Sequence, residues 1–204
     1  IGEGMDKRAL ARKRKEYPLF KKLGVLSQPS LEILLREFEN TESSFESAVE
    51  LRNLNKHTWG DLLHDNKLDN YDQYDIQYCG EITRYDDPDY DLTENDYQYY
   101  DSAFEPVVQE LTETLGSDIR RLRYATLEPG CVLDWHMDQP NYDRFICVLS
   151  GKQRYEVMRR KEPHHCVQSE AEIWYINSNW EHRVLNMQNE IRVALLGCFV
   201  YNKE

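Results

Sequence analysis

From Asp118 onward the chain is a succession of short runs, alternating or continuous in apolar residues and each closed by a turn signal. Strands are expected near 120–128, 131–138, 144–150, 153–159, 165–168, 172–177, 182–186 and 191–200, with Glu128-Pro129-Gly130 and Ser150-Gly151 as turns. Strands this short and this closely spaced bury their apolar faces against one another, which means a sandwich or a barrel.

The residues ahead of this region are of a different kind. Leu31, Leu34, Leu35 and Phe38 recur at helical spacing behind Ser30, a good N-cap. A second helix is written by Phe104, Val107, Val108, Leu111 and Leu115, with Gly116 placed to stop it. Its start is either a Ser102/Glu105 capping box or Pro106 in the first turn. The fold class expected is therefore mainly β, with flanking N-terminal helices. Residues 1–117, helical and then acidic and tyrosine-rich, should pack on a core of 118–204 to give one compact domain, and 204 residues suit that size.

Two zones are set apart by charge. Met5 to about Val25 is basic and is expected to be a solvated helix or terminus, or else a docking arm; Ile1–Gly4 read as an expression scar. Asp61–Asp101 is acidic and rich in tyrosine, with a loop at Asp86-Asp87-Pro88-Asp89. It reads as a loop-rich insertion, or as a surface that steers a cationic polypeptide. The net charge of −12 disfavours nucleic acid as a partner. With no span of apolar residues long enough for a bilayer and no secretory h-region, a cytoplasmic address without membrane attachment is expected. The 5 cysteines have no C-x-x-C spacing and read as reduced thiols.

The chemistry sits in the strand-rich part. His136 and Asp138, two apart in an expected strand, point to one side of a sheet and can hold one ion. His182, opening the phrase His182-Arg183-Val184-Leu185-Asn186, supplies a third ligand from a distant strand. Two imidazoles and one carboxylate on one face leave coordination positions open, which is what a non-haem iron(II) oxygenase requires. Arg192 begins an otherwise apolar strand, and a buried arginine is costly unless an anion meets it. If Asn186 and Glu190 flank a three-residue hairpin loop, Val184 faces Arg192 and His182 faces Ala194 on adjacent strands. A five-carbon diacid bound to the metal would then reach the guanidinium, whose fork grips a carboxylate better than an ammonium does.

On these residues the stretch from Arg121 to Phe199 resembles the aspartyl/asparaginyl β-hydroxylase family of 2-oxoglutarate oxygenases. The matching features are Leu127-Glu128-Pro129-Gly130 before Trp135-His136, Arg144 ahead of an apolar strand, Trp174-Tyr175-Ile176-Asn177, and His182-Arg183-Val184-Leu185-Asn186 with Arg192 ten residues after His182. The resemblance implies a double-stranded β-helix, a cupin-like jelly roll, as the catalytic core. It implies His136 and His182 as iron(II) ligands, Arg192 on the distal carboxylate of 2-oxoglutarate, and Arg144 as a further co-substrate contact. Where the family often places a serine this chain has Ala125, so Thr126 or Tyr124 is expected to make that contact. Some members lack the carboxylate ligand; Asp138 stands in its usual place and favours hydroxylation over halogenation.

The function this implies is a dioxygenase that uses iron(II), 2-oxoglutarate and dioxygen. It would hydroxylate an amino-acid side chain in a protein or peptide, or a free amino acid, with succinate and carbon dioxide as co-products. A cupin-like metal- or ligand-binding module without turnover, and zinc-dependent hydrolysis, remain as alternatives. Lesser candidates are the His164-His165-Cys166 cluster, expected to be a loop or strand start, and Trp180 as a pocket wall; no role is expected for His57 and His64.

Overall fold

The computed structural model describes residues 14–43, 71–79, 96–138 and 142–202. The Asp86–Asp89 loop, His57, His64 and the basic residues before Arg14 lie outside the described residues. All eight expected strands form: β5 (Arg120–Leu127), β6 (Val132–His136), β7 (Asp143–Ser150), β8 (Lys152–Arg159), β9 (Glu162–Ser169), β10 (Glu172–Ile176), β11 (His182–Leu185) and β12 (Arg192–Phe199). Four more precede them, β1 (Phe20–Val25), β2 (Tyr71–Asp75) and the short pair β3 (Tyr78–Cys79) and β4 (Tyr97–Tyr99). The helices are α1 (Gln28–Ser43) and α2 (Glu105–Leu115).

Ten of these strands divide between two facing sheets, in the order β1-β10-β7-β12-β5-β2 and β6-β11-β8-β9, while β3 and β4 pair only with each other. From β5 to β12 the chain passes repeatedly from one sheet to the other, and every strand pairing is antiparallel. Four core strands in each sheet, linked this way, are a double-stranded β-helix, the jelly roll of cupins. β1 and β2 extend the larger sheet at its two edges.

This layering explains the two kinds of apolar run. β12 is buried at every position and β7 at nearly every one, because the larger sheet is covered on both faces. Its outer face packs Leu122, Tyr124, Phe145, Cys147, Tyr175, Val193 and Leu195 against Leu31, Leu34 and Phe38 of α1 and Val107, Leu111 and Leu115 of α2. Its inner face turns Ala125, Leu127, Ile146, Ala194 and Leu196 towards Tyr155, Val157 and Val184 of the smaller sheet. β9, with a face to solvent, is largely exposed.

Three expectations are corrected. α1 begins earlier than the apolar spacing suggested: the Ser27 hydroxyl accepts from Ser30 N, so Ser27 is the cap, while Ser30 is buried and donates its hydroxyl to Glu110. The basic segment is not simply a solvated terminus. Arg14 is buried in an ion pair with Asp143, its Nε 2.9 Å from the carboxylate, and Phe20–Val25 forms an edge strand whose Lys21 and Lys22 face water. Finally, β11 and β12 are not neighbours in one sheet. β11 pairs with β6 and β8, whereas β12 pairs with β5 and β7. Arg192 therefore approaches the metal ligands from across the sandwich.

Candidate metal centre and its pocket

His136 ends β6 and His182 begins β11, and the antiparallel register sets them directly opposite one another. Their ring centroids lie 4.2 Å apart. Asp138 follows the end of β6, where its backbone N–H donates to Ser178 O at 3.1 Å and pins the turn. This brings its Oδ2 to 3.7 Å from His182 Nε2 and its Oδ1 to 4.0 Å from His136 Nε2. One ligand atom from each of the three residues falls within 4.8 Å of the others, and no other such group of ligand side chains occurs among the described residues.

Backbone carbonyls settle which ring nitrogen is available. His136 Nδ1 is 2.7 Å from Asp134 O and His182 Nδ1 is 2.9 Å from Trp180 O. A carbonyl can only accept, so each Nδ1 carries the proton and each Nε2 presents its lone pair towards Asp138. Burial, partly offset by Asp138, pushes the His182 imidazole down to about 4, so it is neutral at physiological pH as a metal ligand must be. Burial alone would raise the Asp138 carboxyl. The Arg144 guanidinium, with Nε 3.0 Å from Oδ2, together with the two imidazoles and Arg123, outweighs it and holds Asp138 ionised.

One cavity between the sheets contains His136, Asp138, His182, Arg192, Arg123, Tyr71, Gln73 and Tyr155, closed by apolar side chains from both sheets. A larger but shallow groove at the 129–132 and 185–189 turns is elsewhere and holds none of these groups. Arg192 is 2% exposed, and its Nε has no hydrogen-bond partner among the described residues. Burial pushes its pKa down to about 10, which leaves it a cation at neutral pH. Ala194 and Ala125 are paired across β12 and β5 and are buried in the core between the sheets.

Two expected co-substrate contacts are displaced by the alternation of strand faces. Tyr124 points outward from the cavity, donating its hydroxyl to Leu34 O at 2.7 Å and packing against Phe38 and Phe104. Thr126 shares that parity and does not line the cavity. Arg144 is at the site, but it grips Asp138 and its Nη1 lies 3.5 Å from Cys198 Sγ. Trp180 contributes its carbonyl, while its ring lies beneath Lys15 and Arg159 and is not a pocket wall. His164 and His165 are exposed on β9. The residues the sequence did not single out are Arg123, Gln73, Tyr71 and Tyr155. The signal for Arg123 was present as an arginine inside an expected strand, the same signal that marked Arg192.

No family model matches the chain, and no curated protein does. Among solved structures, the chain is similar to Bacillus subtilis oxalate decarboxylase described with Mn(II) centres, at 23% identity over 42% of this chain and 22% of that one, with a TM-score of 0.36. It is also similar to Drosophila melanogaster CENP-C bound to CAL1, at 14% identity over 40% of this chain and 69% of that one, with a TM-score of 0.35. The matched part thus spans about a fifth of the oxalate decarboxylase chain. The fold assignment rests on the two-sheet topology itself. No helix among the described residues is long and apolar enough to cross a membrane.

Proposed function

We propose that this protein is an iron(II)- and 2-oxoglutarate-dependent dioxygenase that hydroxylates an amino-acid side chain, in a polypeptide or in a free amino acid. The observation that carries the reading is the presence, on one cavity, of a two-imidazole, one-carboxylate donor set and a buried guanidinium whose Nε lacks a partner among the described residues. A metal-binding module alone needs the first feature, and neither such a module nor a zinc hydrolase needs the second.

His136 Nε2, His182 Nε2 and one Asp138 oxygen would hold the metal, and the donor set fits: both rings are locked in the required tautomer and the carboxylate is ionised. When bound, iron(II) with 2-oxoglutarate supplies activation of dioxygen, with succinate and carbon dioxide as co-products. The rest is the work of the chain. Arg192 offers its fork to the far carboxylate of the diacid, in a dry site where a charge-assisted pair is strong. Tyr155, whose ring lies 5.6 Å from that of His182 and whose buried hydroxyl has no partner among the described residues, is placed to donate to a bound acid. Arg144 keeps Asp138 charged and oriented.

The test is succinate formation with iron(II), ascorbate and 2-oxoglutarate, with binding of 2-oxoglutarate measured in parallel. The reading expects metal-dependent 2-oxoglutarate binding in the wild type. Failure to bind it at all would discard the reading.

A further inference from the structure

Resting on that reading, we infer that Arg123 is a specificity-determining residue which holds a second anion, a carboxylate carried by the substrate, at the metal end of the cavity. Arg123 is 5% exposed and faces the cavity from β5. Its Nε donates to Gln73 Oε1 at 3.1 Å and its Nη1 to Arg121 O at 3.0 Å. Both acceptors are neutral. Asp75, its register partner on β2, is shared with Arg121, which acts on that carboxylate more strongly than Arg123 does. The other acidic neighbour of Arg123, Asp138, is likewise held more strongly by another arginine, Arg144. A guanidinium buried this far that only shares its counter-ions is costly, and such a cost is met when an anion arrives. Gln73 is itself steadied by donating to the Tyr71 hydroxyl at 2.7 Å, so the Arg123 fork is aimed before any ligand is present.

Arg123 and Arg192 do not serve one ligand end. In the β5–β12 register Arg123 lies opposite Leu196 and Arg192 opposite Leu127, so they are four residues apart along the strands. At about 3.3 Å rise per residue their backbones are separated by roughly 13 Å. Arg123 contributes to keeping Asp138 ionised, and the register sets Arg192 away from it along the sheet. The cavity is therefore cationic at both ends. Asp138 is already matched by Arg144, so a divalent metal and two further guanidiniums exceed the two negative charges of 2-oxoglutarate, and the surplus lies at Arg123. The acidic exterior of the molecule repels small acids at a distance, but an anion inside is screened from it and meets a dedicated fork.

Acetate carries a carboxylate and little else, so it probes this fork whatever the substrate is. Protein loaded with Mn(II) and saturating 2-oxoglutarate should relax the acetate methyl protons paramagnetically, saturably, and in preference to acetamide at equal ionic strength. Arg123→Gln should weaken acetate binding about tenfold or more, and by more than it weakens 2-oxoglutarate. Arg123→Lys, which retains a charge and the packed stem, should weaken it by less and serves where Arg123→Gln does not fold. Competition then identifies the source of the carboxylate: free L-alanine offers only a main-chain carboxylate, whereas an N-acetylated, C-amidated tripeptide centred on aspartate offers only a side-chain one. Acetate relaxation that is absent in the wild type, or unchanged in both Arg123 variants, overturns the inference. If 2-oxoglutarate itself does not bind, it is the proposed function that fails; the acetate arm still reports on Arg123 with Mn(II) alone.

Discussion

On the proposed function four side chains govern metal and co-substrate binding, and each responds to change in its own way. His136→Ala should abolish metal binding. Arg192→Gln should leave metal binding intact and weaken 2-oxoglutarate by about 2–3 kcal/mol, the scale of a charge-assisted bidentate pair, as read by calorimetry on the metal-loaded protein. Arg144→Leu leaves Asp138 with burial and without its nearest cation, so metal affinity should fall by about 10–100-fold, measured by chelator competition. His182 makes the metal-free protein sensitive to acid. Burial pushes its imidazole down to about 4 from an ordinary 6.5, so the unfolded chain takes the proton first. The stabilisation is then complete above about pH 6.5 and is lost as pH falls towards 4, a difference of roughly 2–3 kcal/mol between pH 7 and 4.5. Urea unfolding at the two pH values checks this, and His182→Gln should flatten the dependence. The roles of His136, Asp138, His182 and Arg192 were suggested by residue type and spacing. The positions of Tyr124 and Thr126 were not, because one step along a strand turns a side chain to the other face.

At the scale of elements, the strands that the sequence announced are those bounded by turn residues, such as Glu128-Pro129-Gly130 and Ser150-Gly151, where positive φ at Gly130 (68°) and Gly151 (85°) lets the chain turn. The strands that it hid are edges. β1 carries lysines and β2 reads Tyr-Asp-Gln-Tyr-Asp, because an edge strand needs only one partner and its polar residues discourage another. The β11–β12 connection resembles a hairpin in sequence, yet it changes sheet. Local turn chemistry does not say which sheet the next strand will join. The two helices are tied by Glu110 of α2, whose carboxylate accepts from Ser27 N and Ser27 Oγ, each at 2.6 Å, and from the Ser30 hydroxyl. Burial would raise this carboxyl, but these hydrogen bonds lower it overall. Its contribution is accordingly present above about pH 4.5 and lost as pH falls further. Glu110→Gln should cost about 1 kcal/mol at pH 7 and little at pH 3, by denaturant unfolding.

Across the whole molecule, charge is segregated. A chain with a net charge of −12 turns Arg123, Arg144 and Arg192 inward, onto or beside one cavity, where the acidic exterior offers no counter-ion. An acidic exterior would steer a basic polypeptide partner, and a carboxylate carried by such a partner would meet the inward arginine proposed to hold it. The jelly roll makes this possible by setting the metal ligands on the smaller sheet and its β6 turn, and Arg123 and Arg192 on the larger one. Closing the sandwich is therefore what assembles the site. The most direct measurement is anaerobic equilibrium dialysis of labelled 2-oxoglutarate against the protein, with and without iron(II). The account predicts one equivalent bound per chain in the presence of metal, none for His136→Ala, and weakened binding for Arg192→Gln. Binding that is indifferent to both substitutions, or no binding at all, would contradict it.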